Sequence, residues 1–359
     1  VGPLDTALGT AVDAPLDTPA DDSFTTLLTT PVQTDASLNA DISQATPQAI
    51  ADLCRELGSL LGSLSVERCI GSRLTHAGAS SHRGRPLAFA DFPGEQVAAS
   101  RVLVVGGIHG DEYASISLVF RWIQRLEQEH LGVRTWRLIP TANPDGLLSN
   151  KPATRTNAQG VDLNRNFPTH NWAAEAVAQW VRRTNRDPRR NPGRTAASEP
   201  ETRWLLQLIE LYAPDVIVSL HAPHALLDFD GTDAAQIQAP ERLGFLELQP
   251  LGTFPGSLGR YGSRDLGIPV LTLELPWAGI MPSEEDQRLL WEDLLQWMAA
   301  HLPPHPIAGE NEVGAAVEGI SESISEGVAE GVGEGGPGIE TSPAAQVDAQ
   351  LRGNADAGA

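Results

Sequence analysis

Three short apolar runs, each ending beside a residue able to hold a metal or move a proton, constrain this chain more than any other feature. Residues 101–105, Arg-Val-Leu-Val-Val, stop at Gly106-Gly107 and are followed at once by Ile108-His109-Gly110-Asp111-Glu112. Val216 to Leu220 delivers His221, and Val270 to Leu275 carries Glu274 near its end. Continuous apolar runs of this length suit strands buried on both faces, as in a parallel sheet. Between them the spacing turns helical. Ile116, Val119, Phe120 and Ile123 recur in a stretch reaching about Glu129, and a second helix is expected from about Pro200 to Tyr212. A further strand, Thr135 to Ile139, opens into the turn-rich loop Pro140 to Gly146. The alternation predicts an α/β fold: a mixed, mostly parallel twisted sheet flanked by helices, in a single catalytic domain.

Such sheets bind ligands just outside the carboxyl ends of their strands, and His109, His221 and Glu274 all fall there. A tight loop can fold His109 and Glu112 onto one ion. Two imidazoles and a carboxylate, with a fourth position open, make a catalytic zinc set. Taken singly, a histidine after a strand is more often a satisfied turn residue, and His-x-x-Glu alone is a weak signal. Glu274 is more pointed, because an unpaired carboxylate buried in Val-Leu-Thr-Leu-Glu-Leu-Pro costs too much without a functional partner.

Charge separates this middle from the ends. The net charge is −21 over 359 residues, with an isoelectric point near 4.7, which disfavours nucleic acid as a partner. Residues 1–46 hold seven Asp and no Lys or Arg, and 304–359 hold ten acidic residues against Arg352 alone, so only −5 remains on 47–303. Both ends read as disordered acidic segments, the second Gly/Glu-rich with a four-residue Glu repeat from Glu318 to Glu334. The catalytic domain is placed at 47–303, with a helical lead-in over 47–74. No apolar run approaches the roughly 18 residues needed to cross a bilayer, so no transmembrane segment is expected. Cys54 and Cys69, the only cysteines, flank the lead-in. As buried free thiols they fit a cytoplasmic protein; as a disulfide they imply a periplasmic or secreted one.

The motifs together resemble the zinc metallocarboxypeptidases. Gly107-Ile-His-Gly-Asp-Glu112, Asn143-Pro-Asp-Gly146, Val161-Asp-Leu-Asn-Arg-Asn-Phe-Pro168, Ser219-Leu-His221 and Thr272-Leu-Glu-Leu275 occur in that family's order, over roughly residues 75–303. The wording of the third and fifth motifs is most similar to the bacterial murein peptide amidase branch, which cuts the γ-D-glutamyl–meso-diaminopimelate bond. The resemblance implies one zinc ion per chain on His109, Glu112 and His221, with Glu274 as the general base. It implies that Arg155 steadies the oxyanion, that Asn164 and Arg165 hold the substrate's terminal carboxylate, and that Asp162 orients His109. Read from the residues alone, Arg155 also suits a solvated loop, Arg165 a structural role and Asp162 a turn cap.

The family presents a tyrosine from a loop ahead of the base. Tyr261 is the only tyrosine nearby and lies closer to Glu274 than that spacing, so it is expected to line the substrate pocket. Arg260 beside it is expected to meet a carboxylate of the leaving residue, or else to point to solvent. The substrate class is then a murein-derived or other peptide with a carboxylate near the leaving amine. A general carboxypeptidase on L-peptides, or a deacylase of the aspartoacylase or succinylglutamate desuccinylase type, are the alternatives. An inactive binding module on the same fold is disfavoured, because ligands, base and Arg165 are all present. The basic run Arg182, Arg183, Arg186, Arg189, Arg190 and Arg194 reads as a solvated loop, or else as a reader of carboxylate-rich peptide stems. His224, Asp228 and Asp230 are expected near the pocket, and Ala222–Pro223 is expected to be cis.

Overall fold

The computed structural model of the protein describes residues 36–95, 99–129, 132–232 and 237–302. Among these described residues nine strands run in chain order: β1 Thr75–Ser80, β2 Pro86–Phe92, β3 Ser100–Val105, β4 Arg134–Ile139, β5 Val216–His221, β6 Leu226–Asp230, β7 Arg242–Leu243, β8 Leu246–Glu247 and β9 Val270–Glu274. The helices are α1 Ala36–Leu60, α2 Val66–Gly71, α3 Tyr113–Glu129, α4 Pro144–Leu148, α5 Trp172–Arg183, α6 Pro200–Tyr212, the short turn α7 Leu258–Arg260, and α8 Glu284–His301. Seven strands form one sheet in the order β1-β2-β4-β3-β5-β9-β6, while β7 and β8 pair separately. The middle four, β4, β3, β5 and β9, are parallel, and antiparallel strands border them on both sides. This is the expected mixed sheet.

Alternation along the strands splits the core between the two faces, since neighbouring side chains point opposite ways. Val102 and Val104 of β3 join Ile116, Val119, Phe120 and Ile123 of α3 in one cluster. Leu103 and Val105 join Leu205, Leu208 and Ile209 of α6 in the other. The helical spacing read from the sequence therefore marks the faces that are buried. On the α3 side, Trp291 of α8 packs against Trp122 and Trp136 at ring-centroid distances of 5.2 and 5.3 Å.

Two boundaries differ from expectation. Helix α1 begins at Ala36 and carries Pro47 inside it, so the start placed at 47 falls within a helix. A proline removes one backbone donor without ending a helix when flanking turns hold it. The expected loop Pro140 to Gly146 also contains the start of α4: Pro144 takes its first position, and Asn143 caps it through a 2.8 Å bond from the Gly146 amide to Oδ1. The remaining residues of the two acidic segments lie outside the described residues. Cys54 of α1 and Cys69 of α2, both fully buried, are joined as a disulfide with Cα atoms 5.4 Å apart.

Candidate active site

The loops after β3 and β4 are packed against each other closely enough to exclude side chains. A Cβ on Gly110 would lie 2.2 Å from the carbonyl carbon of Gly146, so this meeting needs glycine. Asn143 ties the same loops together, its Nδ2 donating to the carbonyls of Ile108 and Arg155 at 3.2 Å each. His109 and Glu112 are held on the first of these loops, and His221 ends the adjacent strand β5.

One ligating atom from each of the three falls within a 4.8 Å group. His109 Nδ1 is 2.7 Å from Glu112 Oε1, and His221 Nδ1 is 3.0 Å from Glu112 Oε2. The two Nδ1 atoms are 3.1 Å apart, and all three residues are buried. Two imidazole nitrogens turned toward each other and toward one carboxylate form a donor set that suits a zinc-type cation. The outer ring nitrogens are also held: His109 Nε2 lies 3.2 Å from Asp162 Oδ1 and His221 Nε2 lies 3.0 Å from Ser219 Oγ. Such contacts set ring orientation and leave Nδ1 to face an ion. Burial works to raise the Glu112 carboxyl, but His109 and His221 outweigh it and hold the group well below the carboxylate range.

Asp162 makes the contacts of both readings weighed for it. Its side chain accepts from the Asn164 amide at 3.0 Å, capping a turn, and it also meets His109 and receives the Arg155 Nε at 2.9 Å. Burial alone would push this carboxyl up; Arg155, His109 and Arg165 pull it far down instead. Arg155, anchored through Nε, brings Nη1 to 3.7 Å from Glu112 Oε1. Asn164 Oδ1 accepts the Leu258 amide at 2.8 Å. Arg165 lies over the Phe254 ring at 4.6 Å, and burial draws its pKa down to about 10, so it stays a cation at neutral pH. Glu274 stands opposite His221 in the β5–β9 register, 8% exposed, and its buried Oε2 has no hydrogen-bond partner among the described residues.

These groups share a cleft of about 490 Å³, which the metal-type cluster, Arg155, Asn164, Arg165 and Glu274 all line. Tyr261 and Arg260 do not line it. Their turn begins with Ser257 and Gly259 in the cleft wall. At about 100° per residue it then carries the next two side chains away. Tyr261 stacks on Phe167 at 5.8 Å, against the α6-side core, and Arg260 pairs with Glu175 of α5 at 2.6 Å. No tyrosine lines the cleft among the described residues. Of the basic run, Arg189 and Arg190 reach the cleft, Arg189 at 2.8 Å from Asp111, while Arg182, Arg183, Arg186 and Arg194 are exposed. His224, Asp228 and Asp230 line the cleft as expected, and the Ala222–Pro223 bond is cis. Phe254 was missed, since it sits in Thr-Phe-Pro-Gly, which carries a turn signal and no periodicity.

A family model described as zinc carboxypeptidase matches residues 71–248. Murein peptide amidase A of Vibrio campbellii is 36% identical over 200 residues, covering 54% of this chain and 75% of that protein. The chain belongs to the zinc carboxypeptidase family. Murein peptide amidase A of Escherichia coli K12 is 32% identical over 244 residues, covering 65% of this zinc carboxypeptidase and 96% of that relative. The solved murein-tripeptide amidase of Escherichia coli O157 is 27% identical with a TM-score of 0.44, covering 65% of this chain and 93% of that one. As a zinc carboxypeptidase the protein is a metal-dependent hydrolase of peptide bonds, and among the described residues His109, Glu112 and His221 form a group that could hold a metal ion.

Proposed function

We propose that the enzyme hydrolyses the bond between γ-D-glutamate and meso-diaminopimelate in murein peptides, with one zinc ion per chain on His109, Glu112 and His221. The reading rests on the convergence in one cleft of a metal donor set, an unpartnered buried carboxylate and a buried arginine. Kinship with relatives named murein peptide amidase supports the substrate. When bound, zinc polarises a carbonyl and makes water acidic enough to attack near neutral pH. Glu274 accepts the proton of the attacking water at its free Oε2 and delivers it to the leaving amine. Arg155, fixed through Nε by Asp162, keeps its terminal nitrogens for the oxygen that gains charge. Arg165 and the Asn164 amide nitrogen hold the leaving residue's α-carboxylate. Asp162 and Ser219 keep the two imidazoles turned inward.

The Cys54–Cys69 bridge supports work in an oxidising compartment, periplasmic or secreted. Peptide mapping of unreduced protein that found free thiols would remove that support. The reaction is tested with zinc-loaded protein on L-Ala-γ-D-Glu-meso-diaminopimelate, a blocked L-dipeptide and N-acetyl-aspartate. Release of diaminopimelate alone, abolished by a chelator, is the expected result. Cleavage of the L-dipeptide alone would reject the murein assignment, and deacylation of N-acetyl-aspartate alone would reject the carboxylate clamp.

A further inference from the structure

The basic run has one part that is built into the active site. Pro188–Arg190 forms a single short turn capped by Asp187, whose Oδ1 accepts the Arg189 amide at 2.9 Å. The residues after it are bonded to the motif that carries Asn164 and Arg165. The Asn191 carbonyl accepts the Asp162 amide at 2.8 Å, and Asn191 Nδ2 donates to the Gly160 carbonyl at 3.0 Å. Asn166 Nδ2 donates in turn to the Pro192 carbonyl at 2.8 Å. A turn tied down in this way is not a solvated loop, and it holds Arg189 and Arg190 at the cleft. Arg189 is paired with Asp111 at 2.8 Å. Arg190 is held less closely. Its side chain is half exposed, and its one ion pair among the described residues is long, Nε to Asp187 Oδ2 at 3.6 Å. Burial lowers the Arg165 pKa, Asp162 opposes that, and the charges of Arg155 and Arg190 add to the lowering. Arg190 therefore lies within electrostatic reach of the clamp. Two guanidinium groups lining one cleft repel each other until anions enter, and a substrate with two carboxylates answers both.

A peptide whose last residue ends on Arg165 continues toward solvent on the acyl side of the scissile bond, as the half-exposed Arg190 does. In an α-linked peptide that stretch of main chain carries neutral amides, whereas a γ-linked glutamate keeps its α-carboxylate free there. We infer that Arg190 reads the γ linkage, taking the free α-carboxylate of the glutamyl residue while Arg165 takes that of the leaving residue. The inference rests on the murein reaction and the carboxylate clamp proposed above.

The test uses zinc-loaded protein and compares L-Ala-γ-D-Glu-meso-diaminopimelate with the same peptide carrying that glutamyl α-carboxylate as its amide. For the wild type we expect kcat/KM to favour the acid by about 30-fold, the scale of one charge-assisted hydrogen bond. In Arg190→Gln the ratio should fall to within about threefold of one. A wild-type ratio near one, which relies on no variant's folding, overturns the inference. So does a ratio unchanged in Arg190→Gln with both peptides slowed alike, which would place Arg190 on the leaving residue's carboxylate instead. Arg182→Gln removes an exposed charge elsewhere in the run and should leave the ratio at its wild-type value. An equal fall there would trace the effect to net charge and also overturn the inference. Cleavage of both γ-linked peptides at equal rates keeps the murein assignment and rejects the role of Arg190, whereas cleavage of α-linked L-peptides alone rejects both.

Discussion

Asp162 and Asp230 are both acidic residues of the active-site region, yet their surroundings drive them in opposite directions. Asp162 is fully buried and receives His109, Arg155 and the Asn164 amide, so its carboxyl is held far below the ordinary 3.8 despite burial. Asp230 is less buried, has Asp228 as its neighbour, and is raised to about 7. The difference separates two kinds of group. Around the metal-type cluster, protein partners already occupy the polar side chains, which fixes geometry before substrate arrives. Along the β6–β9 side, the buried Glu274 Oε2 has no hydrogen-bond partner among the described residues, as a group reserved for an incoming molecule would be, and Asp230 has no ion pair among them.

The largest effect should come from breaking the partnered side. His221→Ala is expected to take bound zinc from about one per chain to near zero and to abolish turnover, read by elemental analysis beside the assay. Zinc retained at full occupancy would mean that the cluster is not the metal site. Next comes the unpartnered side: Glu274→Gln should lower kcat by about 10³-fold while zinc stays bound. Unchanged turnover would remove Glu274 as the base. Arg165→Ala should cost about 10² in kcat/KM, expressed mainly in KM, because a charge-assisted contact to the substrate is lost. An effect confined to thermal stability would make Arg165 structural. Asp162→Asn should weaken zinc affinity by about 10- to 100-fold in a competition titration, as expected for a group that orients a ligand.

The smallest effect sharpens the contrast itself. Between pH 4 and 7 folded Asp230 keeps a proton that the unfolded chain has released, so its contribution to stability falls as pH rises through that window. Asp162 has the opposite sign: the unfolded carboxyl takes up a proton near 3.8 while the folded one resists, so stability is lost on acidification below that value. Asp230→Asn should therefore gain in melting temperature over the wild type as pH is raised from 4 to 8. A difference that stays flat across that range would show Asp230 to be an ordinary exposed carboxylate.

Much of the catalytic apparatus is legible in the amino-acid sequence, because its signals are local. Apolar strands ending in His or Glu place those residues on one edge of a parallel sheet, and the β5–β9 register then sets His221 opposite Glu274. The helical spacing in α3 likewise marks the side chains that pack on the sheet. Only the tertiary structure decided the rest. Within one turn it put Gly259 in the cleft and took Arg260 and Tyr261 out of it, through partners as distant in sequence as Glu175 and Phe167. It joined Cys54 to Cys69, where composition left two readings open. It also set the ionisation of Asp162 and Asp230, which sequence spacing does not encode. Burial periodicity is a property of neighbours along the chain. The direction of a turn's side chains and the charge a carboxyl holds depend on what the fold brings beside them.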